Sequence, residues 1–397
     1  MPPVKPNSAE VVLTFLKSVG KRADAEFYLK LFRDLPRSEF AVIAVEASVV
    51  RYALGSLVEQ LRFLTELGLY APIVLGLFDP EQSPEGAKML TDALASAGVS
   101  VELSSTGDSF ATQKLRNTLD QTALPVVSVD SESGSTAESR FAALASLTRD
   151  LGSSKLVILR RHGGLVPQPA SGQQSTEVIS LVNLMSDETS LIPRLGSDDQ
   201  RLVRLAAELL RAQDSSRFVV SLASPLNLLA ELFTVRGAGT LIRRGSQIQR
   251  HKSYDTVDCA RLRALLETSF NKTLGPELFA RPPQSLYIEE NYRAVAILES
   301  SPVAPFLTKF AVRRVAQGEG LARDLWDEMT REYPSVYWRA RPGNPVQNWY
   351  LKLCDGMLRR DDWHVYWTNV DAHAIGTVVD AAIARPADFS LPGDGEA

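Results

Sequence analysis

The sequence is poor in the residues that would place it in several common classes. It has two cysteines, Cys259 and Cys354, in 397 residues. Two separated cysteines make neither a disulfide framework nor a metal set, and a reducing compartment suits them. The four histidines, His162, His251, His364 and His373, show no ligand spacing, and each reads as a surface or loop residue. No apolar run approaches the roughly 20 residues that cross a bilayer. The N-terminal stretch MPPVKPNSAEVVLTFLKSVGKR lacks an apolar core of the signal-peptide kind. Its apolar residues read as part of a first helix. Net charge is -4, which indicates neither a polybasic membrane patch nor bulk nucleic-acid binding.

What is present is the composition of a globular protein, 45% hydrophobic and 23% charged, at a length that suggests two domains. Residues 9–35 read as helical. EFAVIAVEASVV reads as a buried strand and APIVLGLF as a second. Between them SLVEQLRFLTELG is a helix with Leu57, Leu61 and Leu64 on one face and Gly68 at its end. The alternation continues through LPVVSV, RFAALASLTRDLG, KLVILRR, RLVRLAAELLRAQ and RFVVSLA, and ELFTVRGAGTLIRRG closes it. This is an α/β pattern: a doubly wound, mostly parallel sheet with helices on both faces, over residues 1–245. IQRHKSYDTVD reads as a polar linker.

A second, mixed α/β domain is expected over 253–397. ARLRALLETSF is a helix and SLYIEENYRAVAILES a strand hairpin. PFLTKFAV is a buried strand, LARDLWDEM a helix with Leu321, Leu325 and Met329 along one side, and VYWRAR a strand. Joining strand to helix is Gln317-Gly318-Glu319-Gly320-Leu321-Ala322, a Q-x-x-G-x-A turn. A small-residue turn entering a helix leaves backbone N–H groups free to hold an anion such as a pyrophosphate. In a strand, residues two apart share a face, so Arg339 and Arg341 point to one side, where an anion between them would relieve their repulsion. Lys309 stands in an apolar run and needs an anionic partner if buried. The tail DFSLPGDGEA reads as frayed.

The segments YIEENYRAVAILE, LTKFAVRRVAQGEGLARDLW, VYWRARPGNPVQNWY and CDGMLRRDDWHVYW together resemble the acetyltransferase domain of the N-acetylglutamate synthases of vertebrate-like type. This domain belongs to the GCN5-related N-acetyltransferases. The resemblance covers about residues 253–370. The first domain resembles the amino-acid kinase domain of the same proteins, more loosely over 80–200. The resemblance implies transfer of acetyl from acetyl-CoA to the α-amine of L-glutamate, the entry step of arginine biosynthesis. It implies no metal, a homotetramer, and a cytoplasmic location, or the mitochondrial matrix in a eukaryote.

By the same resemblance Gln317, Gly318, Gly320 and Ala322 cradle the coenzyme pyrophosphate, with added charge from Arg313 and Arg314. The strand residues Phe310, Ala311 and Val312 lie along the pantetheine arm. Lys309, Arg339 and Arg341 meet the glutamate carboxylates. Tyr350 protonates the leaving thiolate, and Asn344 orients substrate and tyrosine. Cys354 reads as structural. In arginine-sensitive members, arginine binds between the N-terminal helix and an E-L-F-T-x-x-G-x-G-T segment. This chain keeps Tyr28, Glu231, Gly237, Gly239 and Thr240. Packing between elements is the other reading of that loop, and the sequence leaves the sign of any arginine effect open.

The kinase half departs from its family. Where active kinases carry a lysine and paired glycines, this chain has Ala44, Glu46 and Ala47; where they have His-Gly-x-Gly, it has Gly76-Leu77-Phe78-Asp79. Phosphoryl transfer works by positioning and charge neutralisation, so kinase activity is expected to be absent. Two other functions remain in view: a non-catalytic regulatory partner of a kinase, and an N-acetyltransferase for another amino acid.

Overall fold

The computed structural model describes residues 22–106, 111–129, 136–168, 177–187, 191–215, 217–234, 237–317, 320–344, 346–386 and 388–390. The chain divides into two compact units, Met1–Gly245 and Ser246–Ala397.

In the first unit the strands are β1 (Val42–Val45), β2 (Ile73–Leu75), β3 (Val101–Thr106), β4 (Leu124–Val129), β5 (Lys155–Leu159), β6 (Leu181–Asn183), β7 (Val219–Ala223) and β8 (Thr240–Arg243). They form one sheet of order β3-β4-β2-β1-β5-β7-β8-β6. β1 to β5 and β7 are parallel, and the sense reverses between β7 and β8. Both faces are covered. Ile43 and Val45 pack with Leu57, Leu61 and Leu90 on one side, while Val42 and Ala44 pack with Phe141, Leu144 and Leu205 on the other. Burial on two faces is why these strands are continuous apolar runs rather than alternating ones. The helix Ala137–Leu151 shows how local signals set the ends. Thr136 Oγ1 accepts from the Ser139 N–H, and Gly152 closes the helix in the left-handed region.

Two local readings change. The strand expected across EFAVIAVEASVV stops at Val45, and Ala47–Glu66 is a helix. Its buried Val49 and Val50 explain the error. Burying a valine contributes about 1.5 to 3 kcal/mol, which outweighs a helix-propensity difference of about 0.5 kcal/mol. β2 ends at Leu75 because Gly76 turns with φ +93°, and a Cβ there would lie 2.1 Å from the Val129 carbonyl oxygen.

The second unit has a seven-stranded sheet built from β9 (Ile248–His251), β11 (Ser285–Glu289), β12 (Ala294–Glu299), β13 (Phe306–Val312), β14 (Val336–Ala340), β15 (Gly356–Arg360) and β16 (Trp363–Thr368). The order is β15-β16-β14-β13-β12-β11-β9, with a separate pair of β10 (Thr273–Leu274) and β17 (Phe389–Ser390). The supposed linker therefore contributes an edge strand: β9 pairs with β11 from Ile248–Glu289 to His251–Leu286. Its polar Gln249 and Arg250 suit an edge and hide the strand from a hydrophobicity reading.

One face of this sheet carries the helix Leu321–Glu332, whose Leu321, Leu325, Trp326 and Met329 pack with Trp338 and Leu298. The other carries the helix Cys259–Phe270 through Leu262, Leu265 and Leu266, and the helix Ile375–Ala384 through Val378, Val379 and Ala382. Neighbouring strands are antiparallel except β13 and β14. Those two run parallel and share one paired position, Phe306 with Tyr337. Beyond it they part, and the β13 edge from Thr308 to Val312 is not paired with β14.

Candidate active site

The parted strands frame the site. On β13 the pairing with β12 jumps from Ile297–Lys309 to Leu298–Leu307, so Thr308 is an extra residue. Such a bulge re-aims side chains: Thr308 and Lys309, though consecutive, line the same cavity. This cavity of about 680 Å³ is strongly charged, with Lys272, Arg281, Lys309, Arg339, Arg341 and Arg385 against Glu299 and Asp388. Asn344 also lines it. A pocket so rich in cations suits an acidic ligand.

Lys309 is buried, as its apolar surroundings suggested, but its partner is internal. The ammonium donates to Asp388 Oδ2, to the Thr308 carbonyl at 3.1 Å and to Thr308 Oγ1 at 3.3 Å. That engages its three protons, and Asp388 supplies the counter-charge that its burial requires. Burial pushes the Lys309 ammonium below its usual range, against the pull of Asp388. Burial pushes the Asp388 carboxyl up, but the Lys309 charge and hydrogen bonds from Arg281 and Lys309 outweigh it and hold it low.

The two arginines are not equivalent. Both guanidinium groups stack on Trp363, at 4.0 Å for Arg339 and 4.1 Å for Arg341. Arg339 Nη1 also donates to the Ala382 and Ile383 carbonyls at 2.6 and 3.2 Å, and Nη2 to Pro386 at 2.9 Å. It closes the end of the helix Ile375–Ala384. Arg341 is exposed and holds Asp362 at 3.0 Å. The expected matched pair is one structural cation and one accessible cation.

Asn344 turns the chain into the helix Gln347–Leu353, its Oδ1 accepting from the Val346 N–H at 3.0 Å. Tyr350, on that helix, is buried and does not line the cavity. It belongs to the aromatic cluster on the opposite sheet face, with ring contacts to Trp338 at 5.6 Å and Tyr366 at 5.5 Å. Burial, with Tyr366 nearby, pushes its phenol above the ordinary range. The expected residues thus lie on two faces of one sheet, with the gap between β13 and β14 between them.

For the coenzyme segment, Phe310 and Val312 face the Tyr350 side and Ala311 the other. Gly320 is the N-cap of the helix Leu321–Glu332, at φ +77°, which favours glycine. The first turn of such a helix, including Ala322, presents backbone N–H groups without intrahelical acceptors. Gln317 Nε2 donates to the Val312 carbonyl at 3.4 Å. Arg313 Nε, before this turn, is buried without a hydrogen-bond partner. Gly318 lies outside the described residues.

Sequence reasoning missed Arg281, Glu299, Trp363 and Asp388. Asp388 had been assigned to a frayed tail, but β17 pairs with β10, and Asp388 accepts from both Lys309 and Arg281. No local pattern marks contacts made across 79 and 107 residues. His364 is also misread: it is buried on β16, where Arg359 Nε donates to its Nε2 at 3.1 Å.

The family described as NAT, N-acetyltransferase, of N-acetylglutamate synthase, matches residues 249–385. The mitochondrial N-acetylglutamate synthase of Homo sapiens is 30% identical, over 96% of this chain and 79% of its own length. The chain belongs to the N-acetylglutamate synthase family. A protein of Xanthomonas campestris pv. campestris named acetylglutamate kinase is 31% identical over 87% of this chain and 93% of its own. Among solved structures, N-acetylglutamate synthase from Neisseria gonorrhoeae, complexed with coenzyme A and N-acetyl-glutamate, is similar in fold, with TM-score 0.51 and 15% identity over 88% of this chain and 98% of that one.

Two further regions of this synthase-family chain bear on the expectations. At the end of β1, where the kinases place their phosphate, Ala44 is fully buried and Glu46 meets Arg160 Nε at 3.2 Å. Arg160 Nη2 also holds Asp199 at 2.7 Å. Against the loop after the helix that carries it, Glu231 is not a free carboxylate. Lys155 Nζ lies 3.3 Å away and the Ala238 N–H donates to it at 2.8 Å. Gly239 is required sterically, since a Cβ would lie 1.9 Å from the Leu222 carbonyl oxygen, while Gly237 sits at φ +63°, which favours glycine. Tyr28 sits on the helix Arg22–Arg33 and stacks on Phe32, which in turn meets Phe233.

Proposed function

We propose that this protein transfers the acetyl group of acetyl-CoA to the α-amine of L-glutamate. The observation that carries the reading is the cationic cavity opening where β13 and β14 part. There a dicarboxylate amino acid held on one side can meet a thioester laid along the free edge of β13. Gln317, Gly320, Ala322 and Gly318 hold the pyrophosphate, and Phe310, Ala311 and Val312 the pantetheine arm. Arg341 receives a glutamate carboxylate. Lys309 contributes its charge from beside Asp388, Arg339 braces the wall, and Asn344 orients the substrate.

The free amine attacks the thioester carbonyl. A carbon–nitrogen bond forms, the carbon–sulfur bond breaks, and the thiolate takes a proton from Tyr350. The substrate ammonium gives one proton to solvent before attack and the nitrogen a second after it, and the Tyr350 phenolate takes its proton back from solvent. Direct attack suits a site whose cysteine, Cys354, lies in the aromatic core with its thiol pushed up by burial. The N-terminal unit is proposed to lack phosphoryl transfer, because Glu46 and Arg160 neutralise one another where a phosphate would need a free cation. Arginine is proposed as an effector at Tyr28, Glu231, Gly237 and Gly239, supported by the contact between the helix Arg22–Arg33, which carries Tyr28, and the helix Leu228–Phe233, which carries Glu231, through Phe32 and Phe233.

The test is thiol release from acetyl-CoA with glutamate, aspartate, glutamine or ornithine, each with and without arginine. Turnover with glutamate first among them is expected. No turnover with any amine would leave a regulatory protein, and ornithine without glutamate would refute the dicarboxylate argument. ADP release from ATP that depends on N-acetylglutamate would refute the kinase reading.

A further inference from the structure

An amino acid brings an ammonium as well as carboxylates. In a cavity lined by Lys272, Arg281, Lys309, Arg339, Arg341 and Arg385, that ammonium is repelled unless a carboxylate receives it. Among the described residues two line the cavity, Glu299 and Asp388. Their places differ. Glu299 pairs with Phe306, at the point where β13 and β14 are still joined. Asp388 touches Thr308 and Lys309, on the part of β13 that has separated from β14. The reacting amine has to reach that separated edge.

We infer that Asp388 is the carboxylate that docks the substrate ammonium, and that it selects an amino acid over a plain dicarboxylate. The inference rests on the acyl-transfer reading of the cavity. Asp388 Oδ1 accepts from Arg281, and Oδ2 from Lys309 and from Thr308 Oγ1 at 3.4 Å. A carboxylate has about four acceptor positions, so one remains for an incoming N–H. Its neighbours hold Asp388 below the ordinary carboxylate range, so it stays anionic and serves as a dock rather than as the base that removes the proton. Lys309 and Arg281 hold it in place, which gives Lys309 a role without a substrate contact of its own.

The experiment compares glutamate with glutarate, which keeps both carboxylates and lacks the amine. In the full-length protein, Asp388→Asn should raise the glutamate KM about tenfold to a hundredfold. It should leave the acetyl-CoA KM unchanged and the inhibition constant of glutarate unchanged or lower, since a negative charge has gone. Glu299→Gln should not separate glutamate from glutarate. Equal weakening of glutamate and glutarate in Asp388→Asn would reduce Asp388 to a structural partner of Lys309 and overturn the inference, as would an unchanged glutamate KM. Should Asp388→Asn fail to fold, equilibrium binding to the wild type decides. Glutamate must bind at least tenfold more tightly than glutarate, and equal affinities overturn the inference. Wild-type protein that acetylates no amine removes the underlying reading instead.

Discussion

Arg339 lies over Trp363, its guanidinium carbon 4.0 Å from the ring centroid, while its N–H groups close the helix Ile375–Ala384. A lysine keeps the charge but loses the planar fork and the stack. Arg339→Lys should therefore cost about 1 to 3 kcal/mol of stability in the C-terminal unit, read by urea unfolding. A variant as stable as the wild type would contradict the bracing role.

Arg341 carries the opposite expectation. It is exposed and its ion pair with Asp362 is at the surface, so Arg341→Ala should shift stability by no more than about 0.5 kcal/mol. The glutamate KM should rise about tenfold or more, with the acetyl-CoA KM unmoved. Equal changes in both constants would undermine its assignment to glutamate.

Tyr350→Phe keeps the ring that packs on Trp338 and Tyr366 and removes the hydroxyl. The fold should persist while kcat falls by about 10² to 10⁴. The acid form is the active one and burial pushes its pKa upward, so the protonated phenol persists across the neutral and mildly alkaline range. In the wild type no alkaline limb of kcat from this residue is expected below about pH 10. A limb near neutrality that Tyr350→Phe abolishes would refute this.

Glu289 and Arg293 form a buried ion pair at 2.7 Å. Burial pushes the Glu289 carboxyl up, but Arg293 and the Asn291 and Arg293 N–H groups outweigh it and hold it low. Its contribution is thus full above the unfolded carboxylate value near pH 4 and lost as pH falls through the lower folded value. Melting temperature measured between about pH 6 and pH 2 should fall on the acid side. Glu289→Gln should flatten that limb and cost about 3 to 5 kcal/mol at neutral pH.

Gly239→Ala tests whether its loop is kept for packing. The added Cβ would lie 1.9 Å from the Leu222 carbonyl, and backbone there must move. A loss of more than about 2 kcal/mol in the N-terminal unit is expected, followed by thermal melting. Native stability with altered arginine response would favour an effector role free of packing.

The layered α/β architecture of both units, a sheet covered by helices on each face, is legible in the residues because it is written in local terms. Continuous apolar runs marked the parallel strands, the spacing of Leu321, Leu325 and Met329 marked the helix, and Gly320 marked its start. The motif residues placed Lys309, Arg339, Arg341, Asn344 and Tyr350 in one segment of chain. What each can do depends on contacts made far along the chain. The bulge at Thr308, the parting of β13 from β14, and the placing of Tyr350 on the opposite sheet face from Lys309 arise from pairing between strands. The partner of Lys309 comes from Asp388, 79 residues away. A buried charge takes whichever counter-charge the fold brings to it, and that choice leaves no trace in the residues alongside.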